Sequence, residues 1–228
     1  MGLAHGAQEP LGVRDGLVLY LDAANARSYP KSGTTWFDRS GNGNNGTLVN
    51  GVGYNSGNLG SLSFDGVNDT VNFGDVLDIG LSNWTVSTWI KSSTKHFGRI
   101  VAKNNLGSDG WWIGVSPAGS FNIGIDTVWS PSSVYDYDTK GWINLVGVWN
   151  RSSFAVIYAN TVNLGNIVDI SSKSSTNLQT SFNLRVSGRD AGGGYFNGNI
   201  AQASIYNRAL TPQEIQQNYN ALKGRFSI

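Results

Sequence analysis

Trp111-Trp112-Ile113-Gly114-Val115-Ser116-Pro117-Ala118-Gly119-Ser120-Phe121-Asn122-Ile123-Gly124-Ile125 decides how this chain folds. Trp111, Ile113 and Val115 alternate, Pro117-Ala118-Gly119 supplies a turn, and Phe121, Ile123 and Ile125 take up the alternation again. Successive side chains of a strand point to opposite faces, so a period of two collects every second residue on one side. The stretch therefore reads as a hairpin with both apolar rows on one face. The neighbours Trp111 and Trp112 must then point apart, one into the core and the other away from it.

The same pattern recurs on both sides. Trp84, Val86, Thr88 and Ile90 share one strand face, with Thr85, Ser87 and Lys91 on the other. Residues 141–149 and 154–158 repeat it across the turn Asn150-Arg151-Ser152-Ser153. Further strands are expected over 16–22, 61–64, 70–73, 98–103 and 200–206, and Phe182, Leu184 and Val186 form another row. Turn dipeptides stand at Asn42-Gly43, Asn45-Gly46, Asn50-Gly51 and Asp65-Gly66, where positive φ costs little. On the order of a dozen short strands with frequent turns argue for an all-β sandwich or barrel. One helix is expected near the C-terminus. Thr211-Pro212-Gln213-Glu214 places Thr at the N-cap, Pro at N1 and Glu at N3, so hydroxyl and carboxylate can satisfy backbone N–H groups reciprocally. Ile215, Tyr219 and Leu222 fall on one helix face, and Gly224 suits the position after its end. The simplest organisation is a sandwich domain over 16–228 with an N-terminal arm over 1–15.

Composition excludes several functions. The 228 residues carry Lys+Arg 16 against Asp+Glu 15, with no basic run. Phosphate affinity rests on clustered Lys and Arg, so nucleic acid is not an expected partner. No stretch nears the roughly 18 apolar residues of a membrane span. The N-terminus has no charged head followed by an apolar run, so no cleavable signal peptide is seen. Cysteine is absent, which removes disulfides, thiol nucleophiles and thiolate metal sites together. Proton-moving groups are few: the glutamates are Glu9 and Glu214, and the histidines are His5 and His96. His96 reads as an exposed residue of a loop between strands, and no G-x-S-x-G elbow accompanies it. The pair Asp136 and Asp138 could in principle supply the two carboxylates, about 5–9 Å apart, that glycoside hydrolysis needs. The simpler reading is a solvated loop.

Four segments together resemble the laminin-G-like domains of the concanavalin A-like superfamily. Leu62-Ser63-Phe64-Asp65-Gly66-Val67-Asn68-Asp69-Thr70-Val71 is similar to that family's L-x-F-D-G-x-x-D-x-V strand pair. Trp84-Thr85-Val86-Ser87-Thr88-Trp89-Ile90-Lys91 is similar to the strand that follows it, and Gly141 to Val148 to the next conserved strand. Phe196-Asn197-Gly198-Asn199-Ile200 through Tyr206-Asn207-Arg208-Ala209-Leu210-Thr211-Pro212-Gln213-Glu214-Ile215 is similar to its C-terminal signature. The resemblance implies a jelly-roll sandwich of two curved antiparallel sheets with one short C-terminal helix. It also implies binding of glycans or proteins, often with Ca²⁺ at the rim. The segment 16–50 resembles laminin-G-like proteins of phages and environmental bacteria. At one place the chain departs from the pattern. After Ile200 the family usually has Asp, whereas Ala201 and Gln202 stand here, which puts a family-type Ca²⁺ site in doubt.

Ca²⁺ needs six to eight oxygens, and Asp65, Asn68 and Asp69 crowd one turn as weak candidate ligands. The alternative is that Asp65 makes the turn and bonds nearby amides. A glycan site needs aromatic surface beside amide or carboxylate partners. Trp111 or Trp112, and Trp129 with Tyr135, Asp136 and Tyr137 in a segment without clean periodicity, are the candidates. That segment, with Ser130-Pro131-Ser132-Ser133, is expected to be a loop. The resulting expectation is a non-catalytic recognition or structural module, exposed on a virion as a capsid decoration or tail-associated component. It would bind glycan or a virion or cell-surface protein, and it could form a homo-oligomer. Its place would be the virion surface or the cell exterior. The alternative is a bacterial secreted or surface carbohydrate-binding protein, with a glycoside hydrolase a distant third.

Overall fold

The computed structural model describes residues 12–105, 110–165 and 167–228. His5, Glu9 and most of the expected arm fall outside them. In chain order the strands begin with β1 (Leu17–Asp22), β2 (Thr35–Trp36), β3 (Gly46–Val49), β4 (Gly53–Asn55), β5 (Ser61–Asp65) and β6 (Thr70–Asn72). Then come β7 (Trp84–Lys91), β8 (Gly98–Asn104), β9 (Gly110–Val115), β10 (Ser120–Ile125), β11 (Val128–Val134) and β12 (Ile143–Asn150). The last are β13 (Phe154–Ala159), β14 (Val162–Asn163), β15 (Val168–Asp169), β16 (Arg185–Val186) and β17 (Asn197–Tyr206), followed by helix α1 (Pro212–Leu222).

The strands form two antiparallel sheets, the jelly roll expected from the sequence. The first sheet has the order β14-β13-β12-β7-β17-β5-β4, with β1 beside β17 and β15 beside β13. The second has the order β11-β10-β9-β8-β16-β6-β3-β2. The alternating rows meet between them. Trp111, Ile113, Val115, Phe121, Ile123 and Ile125 share one core with Trp84, Val86 and Ile90. At its centre Trp84 stacks on Trp149 at 4.7 Å, and Trp111 stands 5.9 Å and 6.0 Å from those two rings. Trp111 is thus the inward tryptophan of the opening pair.

The outer face of the first sheet is not left to solvent. Ile215 of α1 packs with Val146, Val148, Val156 and Tyr206, and Val13 joins them. Val13 N–H donates to Asn218 Oδ1 at 2.7 Å, which ties residues 12–15 to the helix. Phe226 stacks on Trp89 at 4.2 Å and lies 4.8 Å from Trp142, with Ala201 beneath. Ala201, where the resembled pattern led one to expect an acid, is a small buried residue within this aromatic cluster. This cover also buries Thr85 and Ser87, the expected polar face of β7. Thr85 Oγ1 donates to Arg208 O at 2.9 Å and accepts from Leu210 N–H, so its hydroxyl is satisfied.

Helix α1 starts as expected: Thr211 is the N-cap and forms the capping box with Glu214. Its end differs. The chain continues from Lys223 to Phe226 as a 3-10 turn, and Gly224 lies inside it rather than closing the helix. Burial of Phe226 against Trp89 and Trp142 outweighs a glycine-type stop. Three other expectations are corrected. Asp65-Gly66, with Gly66 at φ 76°, does not fold one strand back on the next. It carries the chain from β5 in the first sheet to β6 in the second. Gly46 opens β3 instead of turning, and a side chain there would strike Val71 and Phe73. Of the row Phe182, Leu184 and Val186, only Arg185–Val186 is strand.

Candidate functional site

A groove of about 640 Å³ lies on the outer face of the second sheet. Strand register builds it. Gly124 of β10 pairs with Trp112 of β9 on one side and Trp129 of β11 on the other. One row of outward positions is thus tryptophan, glycine, tryptophan. In the neighbouring row Asn122 pairs with Gly114 and with Pro131, and Gly114 pairs with Arg99 of β8. Arg99, Trp112, Asn122, Trp129 and Pro131 line the groove with Phe97, Ser116 and Ser120.

Glycine at 124 is required by close approach. A Cβ there would stand 2.4 Å from the indole of Trp112, so the ring lies flat on backbone. The Arg99 guanidinium covers that ring at 3.2 Å from its centre and lies 4.8 Å from the centre of Phe97. Trp112 is thus a pedestal, not a platform. Trp129 is 61% exposed and is the open aromatic surface of the groove. Arg99 is only 8% exposed, and its Nε and Nη1 are buried without an acceptor. Burial, with the like charge of Arg189 near it, lowers its pKa to about 9. Asn122 is buried too, and its Oδ1 lacks a donor.

The six candidate ligand residues separate. Trp112 and Trp129 come together in the groove. Trp111 is wholly buried in the core and cannot meet a ligand. Tyr137 is also wholly buried, its hydroxyl accepting from His96 N–H at 2.9 Å and facing the carbonyls of Ser116 and His96 at 3.1 and 3.2 Å, to one of which it donates. Tyr135 is half-buried against Phe121, with ring centres 5.5 Å apart. Asp136 forms an ion pair with Lys95 at 2.5 Å, and Asp138 lies 3.9 Å from the same ammonium. Those two acids are a surface clamp around Lys95. Trp129 itself lies on strand β11 and not in a loop. Pro131 removes a ladder donor, which an edge strand tolerates, and that loss hid the strand from the sequence pattern.

The calcium candidates are occupied differently. Asp65 accepts from the N–H groups of Val67, Asn68 and Asp69 at 2.8, 3.2 and 3.4 Å, and these bonds hold its pKa below the usual range. Asp69 Oδ2 accepts from Asp65 N–H at 3.0 Å, and burial raises its pKa. Asn68 lends its carbonyl to Asn50 Nδ2 at 3.0 Å. Asp65 therefore spends its charge on the turn backbone, and among the described residues no group of three or more His, Asp or Glu is placed to hold a metal. His96, expected to be exposed, is half-buried: Nδ1 faces Thr94 O at 3.0 Å and Nε2 accepts from Asn197 N–H at 2.9 Å.

The residues that the sequence reading missed are Phe97, Arg99 and Asn122. A charged side chain amid the apolar run of β8 was the available signal for Arg99.

The two-layer jelly roll with an aromatic groove defines a lectin-like binding-domain fold. A family model described as Concanavalin A-like lectin/glucanases superfamily, of the laminin-G type, matches residues 64–216, and the chain belongs to that family. Among curated proteins none is significantly similar in sequence. Among solved structures, the binding domain of Paraclostridial Mosquitocidal Protein 1 is similar with a TM-score of 0.70 at 17% identity, over 91% of this chain and 52% of that one. The botulinum neurotoxin DC binding domain in complex with rat synaptotagmin II gives 0.67 at 15%, over 92% and 52%. This chain spans about half the length of those toxin domains. Domain 4 of AbnA, a GH43 extracellular arabinanase from Geobacillus stearothermophilus, in complex with arabinotriose, gives 0.64 at 18%, over 89% of this chain and 98% of that one. At these identities the likeness is one of fold.

Proposed function

We propose that this chain is a non-catalytic recognition module that binds glycan in the groove between Arg99 and Trp129. The observation that carries this reading is Trp129, whose indole is 61% exposed at the mouth of the cavity. A large flat apolar ring left in water at a concave site suits the C–H face of a sugar, and nearby amide and hydroxyl groups suit its oxygens. Asn122, Ser116 and Ser120 supply those groups here. The arabinotriose complex of the AbnA domain, which is nearly the same size, supports a saccharide as ligand. The absence of catalysis is part of the proposal, and two placements support it. Asp136 and Asp138 are held by Lys95, and both ring nitrogens of His96 are engaged by the backbone. The expected setting, a virion surface or the cell exterior, belongs to the same proposal and rests on the sequence resemblance. Titration calorimetry against arabinan, galactan and uronate oligosaccharides tests the reading. Binding that Trp129→Ala weakens at least about tenfold is expected, since aromatic anchors carry a disproportionate share of binding energy. Silence across the glycans, with retention of a surface protein instead, would replace it by protein recognition.

A further inference from the structure

The buried cations of this protein show what Arg99 lacks. Lys103, four residues further along β8, is 1% exposed and meets Asp75 at 2.6 Å, Asp78 at 3.1 Å and Val76 O at 3.0 Å. Arg151, which has its Nε alone without an acceptor, reaches the carbonyls of Gly80, Lys173 and Thr176. Arg225 pairs with Asp22 at 2.7 Å and bonds the carbonyls of Asn58 and Gly60. For Arg99 no carboxylate partner exists among the described residues, and two of its nitrogens are buried without an acceptor. Asp126 lines the same groove but is committed to Lys173 at 2.7 Å. Arg189 adds a second positive charge close by.

A π face does not replace those missing acceptors. Guanidinium N–H groups lie in the plane of the group, while Trp112 meets its face. Nε and Nη1 are enclosed, so Arg99, which lines the groove, can meet an incoming oxygen there only through Nη2, which is not among the enclosed atoms. An oxyanion answers best, because it supplies a charge-assisted acceptor to that nitrogen and the missing negative charge together.

We propose that the groove's ligand is an acidic oligosaccharide, a uronate- or sialate-type glycan whose carboxylate seats on Arg99 while a sugar ring lies against Trp129. This rests on the glycan-binding reading above and narrows it. A neutral glycan would meet Trp129 and leave the guanidinium charge unbalanced.

The test is calorimetric titration of the whole chain with galacturonate, glucuronate, mannuronate and sialyl oligosaccharides, each beside an uncharged counterpart of equal length. Inorganic phosphate and sulfate serve as simple anions. At least one acidic glycan is expected to bind about tenfold or more tighter than its neutral counterpart, a preference that rising ionic strength erodes. Arg99→Met, which keeps an apolar stem on Trp112, should erase the preference, so that acidic and neutral glycans bind that variant alike, and Arg99→Lys should keep part of it. Trp129→Ala should weaken both. Neutral glycans binding as well as acidic ones would overturn the inference and leave the binding-module reading standing; no glycan binding would overturn both. A preference that survives Arg99→Met would also overturn it, as would phosphate matching the uronates irrespective of Trp129. Should Arg99→Met fail to fold, a preference insensitive to salt and to Arg99→Lys would be decisive against the proposal.

Discussion

The guanidinium of Arg99 rests 3.2 Å from the centre of the Trp112 ring, and that ring rests on the bare backbone of Gly124. Three strands thus contribute to one stack, and the cation is held before any ligand arrives. A desolvated contact of this kind contributes about 2 kcal/mol. Each buried donor left without an acceptor costs about 1–3 kcal/mol. With two such nitrogens, the stack by itself leaves Arg99 at best near balance.

Gly124→Ala should break the stack from below. The new Cβ would stand 2.4 Å from the indole, so Trp112 must shift and Arg99 with it. Overpacking of this kind costs about 1–3 kcal/mol. Denaturant unfolding should show that loss, and titration should show weaker glycan binding although residue 124 offers no side chain to a ligand. Unchanged affinity in a folded variant would contradict the pedestal role of Trp112.

Two tryptophans should separate stability from binding. Trp84→Ala removes the centre of the inter-sheet core and should cost about 3–5 kcal/mol in urea unfolding. Trp129→Ala removes a ring that is mostly in water and should change stability by less than about 0.5 kcal/mol. Its effect should be confined to ligand affinity.

Glu214 should make the helix start acid-sensitive. Two charge-assisted bonds from Arg208, at 2.9 and 2.6 Å, and the N–H of Thr211 lower its pKa to about 2. Its unfolded value is about 4.3, so the unfolded chain takes up the proton first on acidification. The contribution is complete above that unfolded value and is lost as pH falls towards 2. Melting temperatures followed across this window should drop in the parent protein, and Glu214→Gln should remove that part of the slope. Thr211→Ala, which breaks the other half of the capping box, should cost about 1 kcal/mol at neutral pH.

His96 should add a second, milder pH dependence. Burial lowers its pKa, and protonation would place a hydrogen where Nε2 accepts from Asn197 N–H. The unfolded chain therefore binds that proton more readily, and stability should decline as pH falls below about 6.5. A melting series from neutral to mildly acidic pH should show the decline, and His96→Phe should lack it.

Much of this was legible in the chain. The period-two rows around 111–125 and 84–90 specified strands, and Thr211 to Glu214 specified where the helix begins, because both signals depend only on neighbours in sequence. The edge strand at 128–134 was not legible, since its serines and Pro131 carry no apolar rhythm and it is strand only because β10 offers it partners. Burial of Thr85 and Ser87 was hidden as well, because their cover comes from Val13 and from residues beyond 207, all far away in sequence.

The sequence by itself determined an all-β sandwich or barrel, because alternating apolar residues in strands this short leave water only when one face is covered, and the family resemblance pointed to the sandwich. Only the tertiary structure decided that Trp111 turns inward and Trp112 outward, and that Arg99, Asn122 and Trp129 meet in one groove. The physical reason is that alternation fixes which residues share a face but not which face is covered. Here α1 and Phe226 cover the first sheet, and the groove stands open on the second.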